Sequence, residues 1–253
     1  MKNELLHIGP FTIYGYGLMI AIGVISAYFT AEYRAKKQGL DPDRVFGLVV
    51  CAVLGGFLGA KLLYFITELP AIIKNPSLLL DLSNGFVVYG GIIGGIFCCL
   101  VYCRKKGMVF LKYFDLVMPS VALAQGFGRI GCFLAGCCYG EETDSPIGIV
   151  FHESAYAPNG VKLIPTQLIS SGLDFLHFLV LIWLARRVKA DGQVAGCYLI
   201  FYSVGRFILE FFRGDMLRGN VGVLSTSQFI SIFICLAGIV MVVYQGRKAK
   251  AQE

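Results

Sequence analysis

Charge is what this chain is short of. Of its 253 residues, 22 are Lys or Arg and 16 are Asp or Glu, 15% together, where soluble domains carry about 25%. With 57% of the residues hydrophobic, too few charges remain to cover a water-facing surface. Lipid is the expected solvent for most of the chain. Histidine is scarce as well: His7, His152 and His177 show no metal-ligand spacing, and neither a metal nor a soluble cofactor is expected. The net charge of +6 comes without a basic groove pattern, which argues against nucleic acid as a partner. The first apolar stretch lacks a preceding basic run and a small-residue cleavage site. It leads into Arg34, Lys36 and Lys37 and reads as a retained span. No strand is expected ahead of Gly126-Phe127-Gly128 and Gly131, which removes a dinucleotide-loop reading. Internal repeats are also missing, including the inverted kind that many transporters carry.

What is there is a series of long apolar runs. A helix needs about 20 mainly apolar residues to cross the hydrocarbon core. Seven runs qualify, at 15–33, 45–69, 86–103, 113–136, 166–185, 194–212 and 225–244. The expected fold is an all-α, polytopic membrane bundle of seven transmembrane helices, one domain over 1–253, with a small external loop region at about 139–165. Pro146, Gly148, Pro158, Asn159, Gly160 and Pro165 favour turns in that loop, with room for a short strand pair near 147–151. Residues 69–85 read as an interfacial segment carrying Leu78, Leu79 and Leu80.

Basic clusters follow every second span: Arg34, Lys36, Lys37 and Arg44; then Arg104, Lys105, Lys106 and Lys112; then Arg186, Arg187 and Lys189; then Arg247, Lys248 and Lys250. The opposite side holds only the scattered Lys2, Lys74, Lys162, Arg213 and Arg218. The positive-inside rule then predicts an external N-terminus and a cytoplasmic C-terminus.

Charges inside spans cost at least about 2.5–3.5 kcal/mol each at the bilayer centre, so they pair, line a cavity or carry function. On the predicted orientation Arg129, Arg206 and Lys61 fall in outer half-spans, and the first turns of the first and third spans bring Tyr16 and Tyr89 to the same depth. Asp115 lies at the inner end of the fourth span. Gln125, Arg129, Cys132 and Gly136 share one helical face, as do Tyr202, Arg206, Glu210 and Arg213. Two polar faces at one depth predict a shared cavity. Plainer roles stand beside that one: an Arg206–Glu210 ion pair, a snorkelling Lys61, an interfacial Tyr14, solvated Arg213 and Arg218, and a packing role for His177. Arg129 has no acid within a turn on its own helix, and lipid phosphate is a natural partner for its guanidinium fork. A non-catalytic phospholipid-binding or transporter-like protein would use the same features.

Nine cysteines are present, most of them in apolar runs as packing residues. Cys132, Cys137 and Cys138 stand apart, beside glycine-rich sequence. Their spacing does not match the usual zinc patterns; packing is the expected role and a disulfide the alternative.

The stretch Gly128-Arg129-Ile130-Gly131-Cys132-Phe133-Leu134-Ala135-Gly136, followed by Cys137-Cys138-Tyr139-Gly140, resembles the signature of prolipoprotein diacylglyceryl transferases. Tyr16-Gly17-Leu18-Met19 is similar to that family's first-span motif, and Tyr89-Gly90-Gly91-Ile92-Ile93-Gly94 to its histidine-glycine-glycine segment. Pro165-Thr166-Gln167-Leu168, and Tyr202-Ser203-Val204-Gly205-Arg206 with Glu210-Phe211-Phe212-Arg213, complete the likeness. Tyr89 stands where the family commonly has histidine, Cys132 where it has asparagine, Cys137 where it has glutamate, and Ile164 where a histidine often precedes the proline. The resemblance implies transfer of a diacylglyceryl group from phosphatidylglycerol to the lipobox cysteine of a lipoprotein precursor, in a bacterial cell membrane. It implies Arg129, Arg206, Tyr89 and Tyr16 as the catalytic set. Arg129, Gly131, Tyr202, Glu210, Arg213 and Gln125 would bind substrate.

Overall fold

Helices dominate because the apolar runs have no other way to satisfy their backbone in lipid. The computed structural model describes residues 4–8, 11–79, 85–215 and 219–251. Among the described residues eight α-helices run in the order α1 (Gly15–Lys37), α2 (Pro42–Thr67), α3 (Leu69–Lys74), α4 (Val88–Lys105), α5 (Phe110–Ala135), α6 (Thr166–Leu184), α7 (Gln193–Leu209) and α8 (Thr226–Lys250). All but α3 are long and apolar enough to cross a membrane. Leu58, Ile93 and Val240 are each about 65% exposed, an apolar surface suited to lipid.

The expected spans coincide with these helices to within a few residues at most ends. The larger differences have a cause. α1 and α8 run on past their apolar stretches through Arg34, Lys36 and Lys37, and through Arg247, Lys248 and Lys250, where cations favour the helix C-terminus. The sixth span changes to a 3-10 turn at Glu210–Phe212. Three two-stranded antiparallel pairs are added: β1 (Glu4–Ile8) with β2 (Phe11–Tyr14), β3 (Ile149–Val150) with β4 (Lys162–Leu163), and β5 (Asn220–Val221) with β6 (Leu224–Ser225). The β3–β4 pair occupies the expected loop. The β1–β2 pair was not anticipated, although Gly9-Pro10 between its strands is a turn signal. Lys2, Leu80 and Arg218 lie outside the described residues.

The chain divides into two compact units, residues 32–113 and residues 1–31 with 114–253. In the smaller unit α2 and α4 meet along glycines: a Cβ on Gly59 would strike the carbonyl oxygen of Gly90, and one on Gly90 that of Gly59. This is close packing of the small-residue kind that lets helix backbones touch in lipid. Asp41 caps α2 by accepting from the Asp43 amide at 3.0 Å. Lys61 does not snorkel. It is only 6% exposed, and its ammonium lies 5.0–5.2 Å from the rings of Tyr64, Phe65 and Phe86, which hold a cation by their π-faces. Ile73 of α3 and Leu79 beyond it are exposed, an apolar surface in the segment expected at the interface.

In the larger unit α5 is the shared partner. α1 lies against it through Gly23 and Gly131, α6 through Gly126, whose carbonyl accepts from Ser171 Oγ at 2.9 Å. α7 is fixed to it at two points along its first half. Asp115 of α5 accepts from the amides of Gly192 and Ala195, each at 2.7 Å, and so caps the start of α7 from another helix. Farther along, Tyr198 donates to Gln125 Oε1 at 3.0 Å. α8 meets α7 where a Cβ on Gly238 would come 2.8 Å from the Gly196 oxygen. A capping box between Ser225 and Gln228 starts α8.

Candidate functional site

At one end of the larger unit α5 and α7 finish where α6 and α8 begin, and the two intramembrane arginines sit in these last turns. Arg129 and Arg206 line one cavity of about 240 Å³ with Tyr202, Asp174 and His177, and leucine, valine and phenylalanine side chains complete its wall. Arg206 is anchored: its Nη2 lies 2.9 Å from Glu210 Oε2, one turn on, and donates to Ser227 Oγ of α8 at 3.0 Å. Glu210 is 5% exposed in this pair. The guanidinium is thereby held by one edge. Arg129 differs. Among the described residues no carboxylate lies within ion-pair distance of it, and Asp174 on α6 acts on it electrostatically. Its planar fork can grip a tetrahedral anion in two places.

Below the arginines a ring ladder supports the cavity. Tyr202 stacks on Tyr198 at 5.9 Å between centroids, and Tyr198 on His177 at 5.1 Å. Gln125 is engaged by the Tyr198 hydroxyl, so it braces the ladder. His177 is buried as the packing reading expects, yet its Nε2 has no hydrogen-bond partner among the described residues.

The segment after α5 closes this end. Residues 139–143 pair with 162–164 on one side and with 212–214 on the other: Gly140 donates to Ile164 O at 3.0 Å, and Glu141 to Phe212 O at 3.0 Å. Arg213, expected to be solvated, is held in that zipper. Its side chain is 6% exposed and forks onto Asp215 at 2.9 and 2.7 Å.

A family model described as prolipoprotein diacylglyceryl transferase matches residues 3–244. The phosphatidylglycerol--prolipoprotein diacylglyceryl transferase of Clostridium tetani is 52% identical, over 94% of this chain and 96% of its own. Transferase 2 of the same name from Clostridium perfringens is 48% identical over 100% and 98%. The counterpart from Finegoldia magna is 36% identical over 96% and 98%. The chain belongs to the prolipoprotein diacylglyceryl transferase family. It is a multi-pass membrane protein.

The motifs of this transferase family have identifiable jobs in the fold. Gly131 lets α1 approach: a Cβ there would lie 3.2 Å from both the ring and the carbonyl oxygen of Tyr16. It thus seats Tyr16, which is 41% exposed. Thr166 Oγ1 donates to Cys138 O at 2.9 Å, and Gln167 Nε2 to Cys137 O at 2.8 Å, so the proline-threonine-glutamine turn clamps the double-cysteine segment. The cavity gathers Arg129, Tyr202 and Arg206 of the expected set; Gln125, Glu210, Arg213 and the Gly131–Tyr16 contact are placed around them. Tyr89 is in the first turn of α4, in the smaller unit, and 40% exposed.

Two features went unread. Asp174 is a lone carboxylate within the fifth span, and its position in an apolar run is signal enough to flag it. The thiols of Cys132, Cys137 and Cys138 form one cluster, their sulfurs all within 4.8 Å of one another. Five residues of separation concealed this, since the chain reverses after α5 through left-handed Gly136 (φ +76°) and Cys138 (φ +59°). Hydrogen bonds from the Cys132 and Cys137 thiols, with Arg213 and Arg129 nearby, hold the Cys138 thiol well below the ordinary range. The same sharing with Cys132 and Cys138, and burial, push Cys137 up.

Proposed function

We propose that this chain transfers the diacylglyceryl group of phosphatidylglycerol to the lipobox cysteine thiol of lipoprotein precursors. A carbon–sulfur bond forms to the glyceryl carbon, the bond from that carbon to the phosphate oxygen breaks, and glycerol phosphate leaves. The departing phosphate oxygen keeps the electron pair of the broken bond, and the acceptor's thiol proton passes to that phosphate or to solvent. The observation that carries this reading is the pair of arginines on one cavity with an apolar wall, one anchored by Glu210 and Ser227 and one with no carboxylate at ion-pair distance among the described residues. Such a pair suits a phosphodiester whose charge grows as it departs, where fixed donors act most strongly, and the apolar wall suits acyl chains.

In this reading Arg129 grips the phosphate, Arg206 stabilises the leaving group, and Glu210 and Ser227 orient Arg206. Tyr202 borders the lipid headgroup. Tyr16 and Tyr89 complete the catalytic set, Tyr89 as a hydrogen-bonding group in place of the family's histidine. A phenol with a reference pKa near 10 is a poor base at neutral pH, but it donates and accepts hydrogen bonds. Arg213 fixes the covering segment. The whole chain acts as one membrane domain with the site facing outward, an N-terminus outside and a cytoplasmic C-terminus, in keeping with its basic clusters.

The test is purified protein with phosphatidylglycerol and a lipobox peptide, scored by mass. A diacylglyceryl adduct on the peptide cysteine is the expected result. Phosphatidylglycerol binding with no adduct would instead favour a lipid-binding protein without covalent chemistry.

A further inference from the structure

In the proposed transfer the nucleophilic sulfur comes from the peptide, so the three gathered thiols are not its nucleophile. Their arrangement is built, not incidental. Cys132 is on the last turns of α5, and Cys137 and Cys138 return to it through two left-handed residues. Cys138 is the informative one, because a left-handed backbone is uncommon outside glycine and marks a position held by its surroundings. Those surroundings are explicit. Thr166 and Gln167 fasten the carbonyls of Cys138 and Cys137. The Cys137 amide donates to Cys132 O at 3.1 Å, and its thiol lies 3.7 Å from the same oxygen. Three sulfurs within 4.8 Å of one another are close to the spacing a bound ion imposes. A metal–sulfur bond of about 2.3 Å in tetrahedral geometry separates its ligands by about 3.8 Å.

We propose that Cys132, Cys137 and Cys138 form a three-thiolate binding site for a thiophilic d10 cation. The donor set selects the class of ion. Three sulfurs suit zinc-like and copper(I)-like ions and disfavour magnesium or calcium, which require oxygen. Binding releases the thiol protons to solvent, and a divalent ion with three thiolates carries a net charge of −1. Arg129 and Arg213 both act electrostatically on Cys138 and offset that charge. The site goes beyond the transfer reaction and does not depend on it. Filling it would tie the covering segment to the end of α5.

The experiment is a Cd²⁺ titration of the full-length, detergent-solubilised and fully reduced protein. Sulfur-to-cadmium charge transfer is read in the ultraviolet, and X-ray absorption counts the sulfur neighbours. Saturation at one equivalent with three sulfurs is expected. Cys132→Ser, Cys137→Ser and Cys138→Ser should each weaken binding by more than about 100-fold, since removing even an outer-shell partner of a metal ligand costs about 10- to 100-fold. If a single variant misfolds, the remaining two decide. A second control replaces Cys51, Cys98, Cys99 and Cys103 by alanine and should leave the titration unchanged. The proposal falls if the reduced protein gives no charge-transfer band, or if the band survives all three serine variants. It also falls if two of the three thiols stay joined as a disulfide under the reductant that frees the other cysteines.

Discussion

At the residue scale, the two arginines line the same cavity with different partners. Arg206 is held along one edge by Glu210 and Ser227, whereas Arg129 meets no carboxylate at ion-pair distance among the described residues, which in the proposed reading leaves its fork for the lipid phosphate. Replacing Arg129 by lysine retains the charge and loses the two-point grip. Arg129→Lys should therefore be nearly as damaging to diacylglyceryl transfer as Arg129→Ala, with turnover falling more than phosphatidylglycerol affinity. Full transfer by the alanine variant, measured on folded protein, would remove the arginine from the mechanism. For Tyr89→Phe, loss of one hydrogen bond to a charged group, about 1.5–3 kcal/mol, predicts a drop on the order of 10- to 100-fold in rate. An unchanged rate would take the tyrosine out of the site and leave the arginines in it. The arginines were legible because a charge in an apolar run has few explanations. The anchoring of Arg206 by Ser227 was not, since a serine at the start of the last span carries no mark of the helix it faces. The burial of Arg213 was hidden for the same reason: its Asp215 partner is two residues on, but the backbone pairing around it comes from the segment at 139–143.

Helices were legible as elements because in lipid the hydrophobic run and the helix have nearly the same length. What caps and joins them was less so. Asp115 could be placed at the end of the fourth span from sequence, yet its two acceptor bonds go to Gly192 and Ala195, 77 and 80 residues away. It supplies to α7 the negative group that helix N-termini favour and that Gly192 cannot provide. Asp115→Ala should lower the thermal stability of the solubilised protein by at least about 1.5–3 kcal/mol, the range for one hydrogen bond to a charged group. Asp115→Asn should lose less, since an amide oxygen still accepts. Equal melting temperatures for Asp115→Ala and the parent would show that α7 needs no cap from α5. The glycine seam between α2 and α4 belongs to this scale too. Its glycines could be read as small-residue faces, but which of them meet is a matter of register, and no residue count along one helix gives the register of another.

For the molecule as a whole, the alternation of basic clusters predicts its direction in the membrane. A reporter fused after Lys250 should read as cytoplasmic; an external signal would reverse the orientation and move the arginine cavity to the inner side. The doubly bonded strip that follows α5 has a dynamic consequence. Residues 139–143 are hydrogen-bonded to two separate stretches at once, 162–164 and 212–214, among them the Thr143 amide to Lys162 O at 3.0 Å and the Gly214 amide to Tyr139 O at 3.2 Å. A strip bonded along both edges cannot lift from one edge alone without breaking the other's bonds or dragging its partner. Its amides should therefore exchange with solvent deuterium together, as one cooperative opening. Hydrogen exchange read by mass spectrometry should find Gly140, Glu141, Thr143, Ile164 and Gly214 sharing a single protection level, above that of Tyr156 and Gly148 in the same loop. A peptide substrate that must pass this strip would then meet a door that opens all at once, so that the frequency of opening, and not the width of the gap, would set how often the arginines are reached.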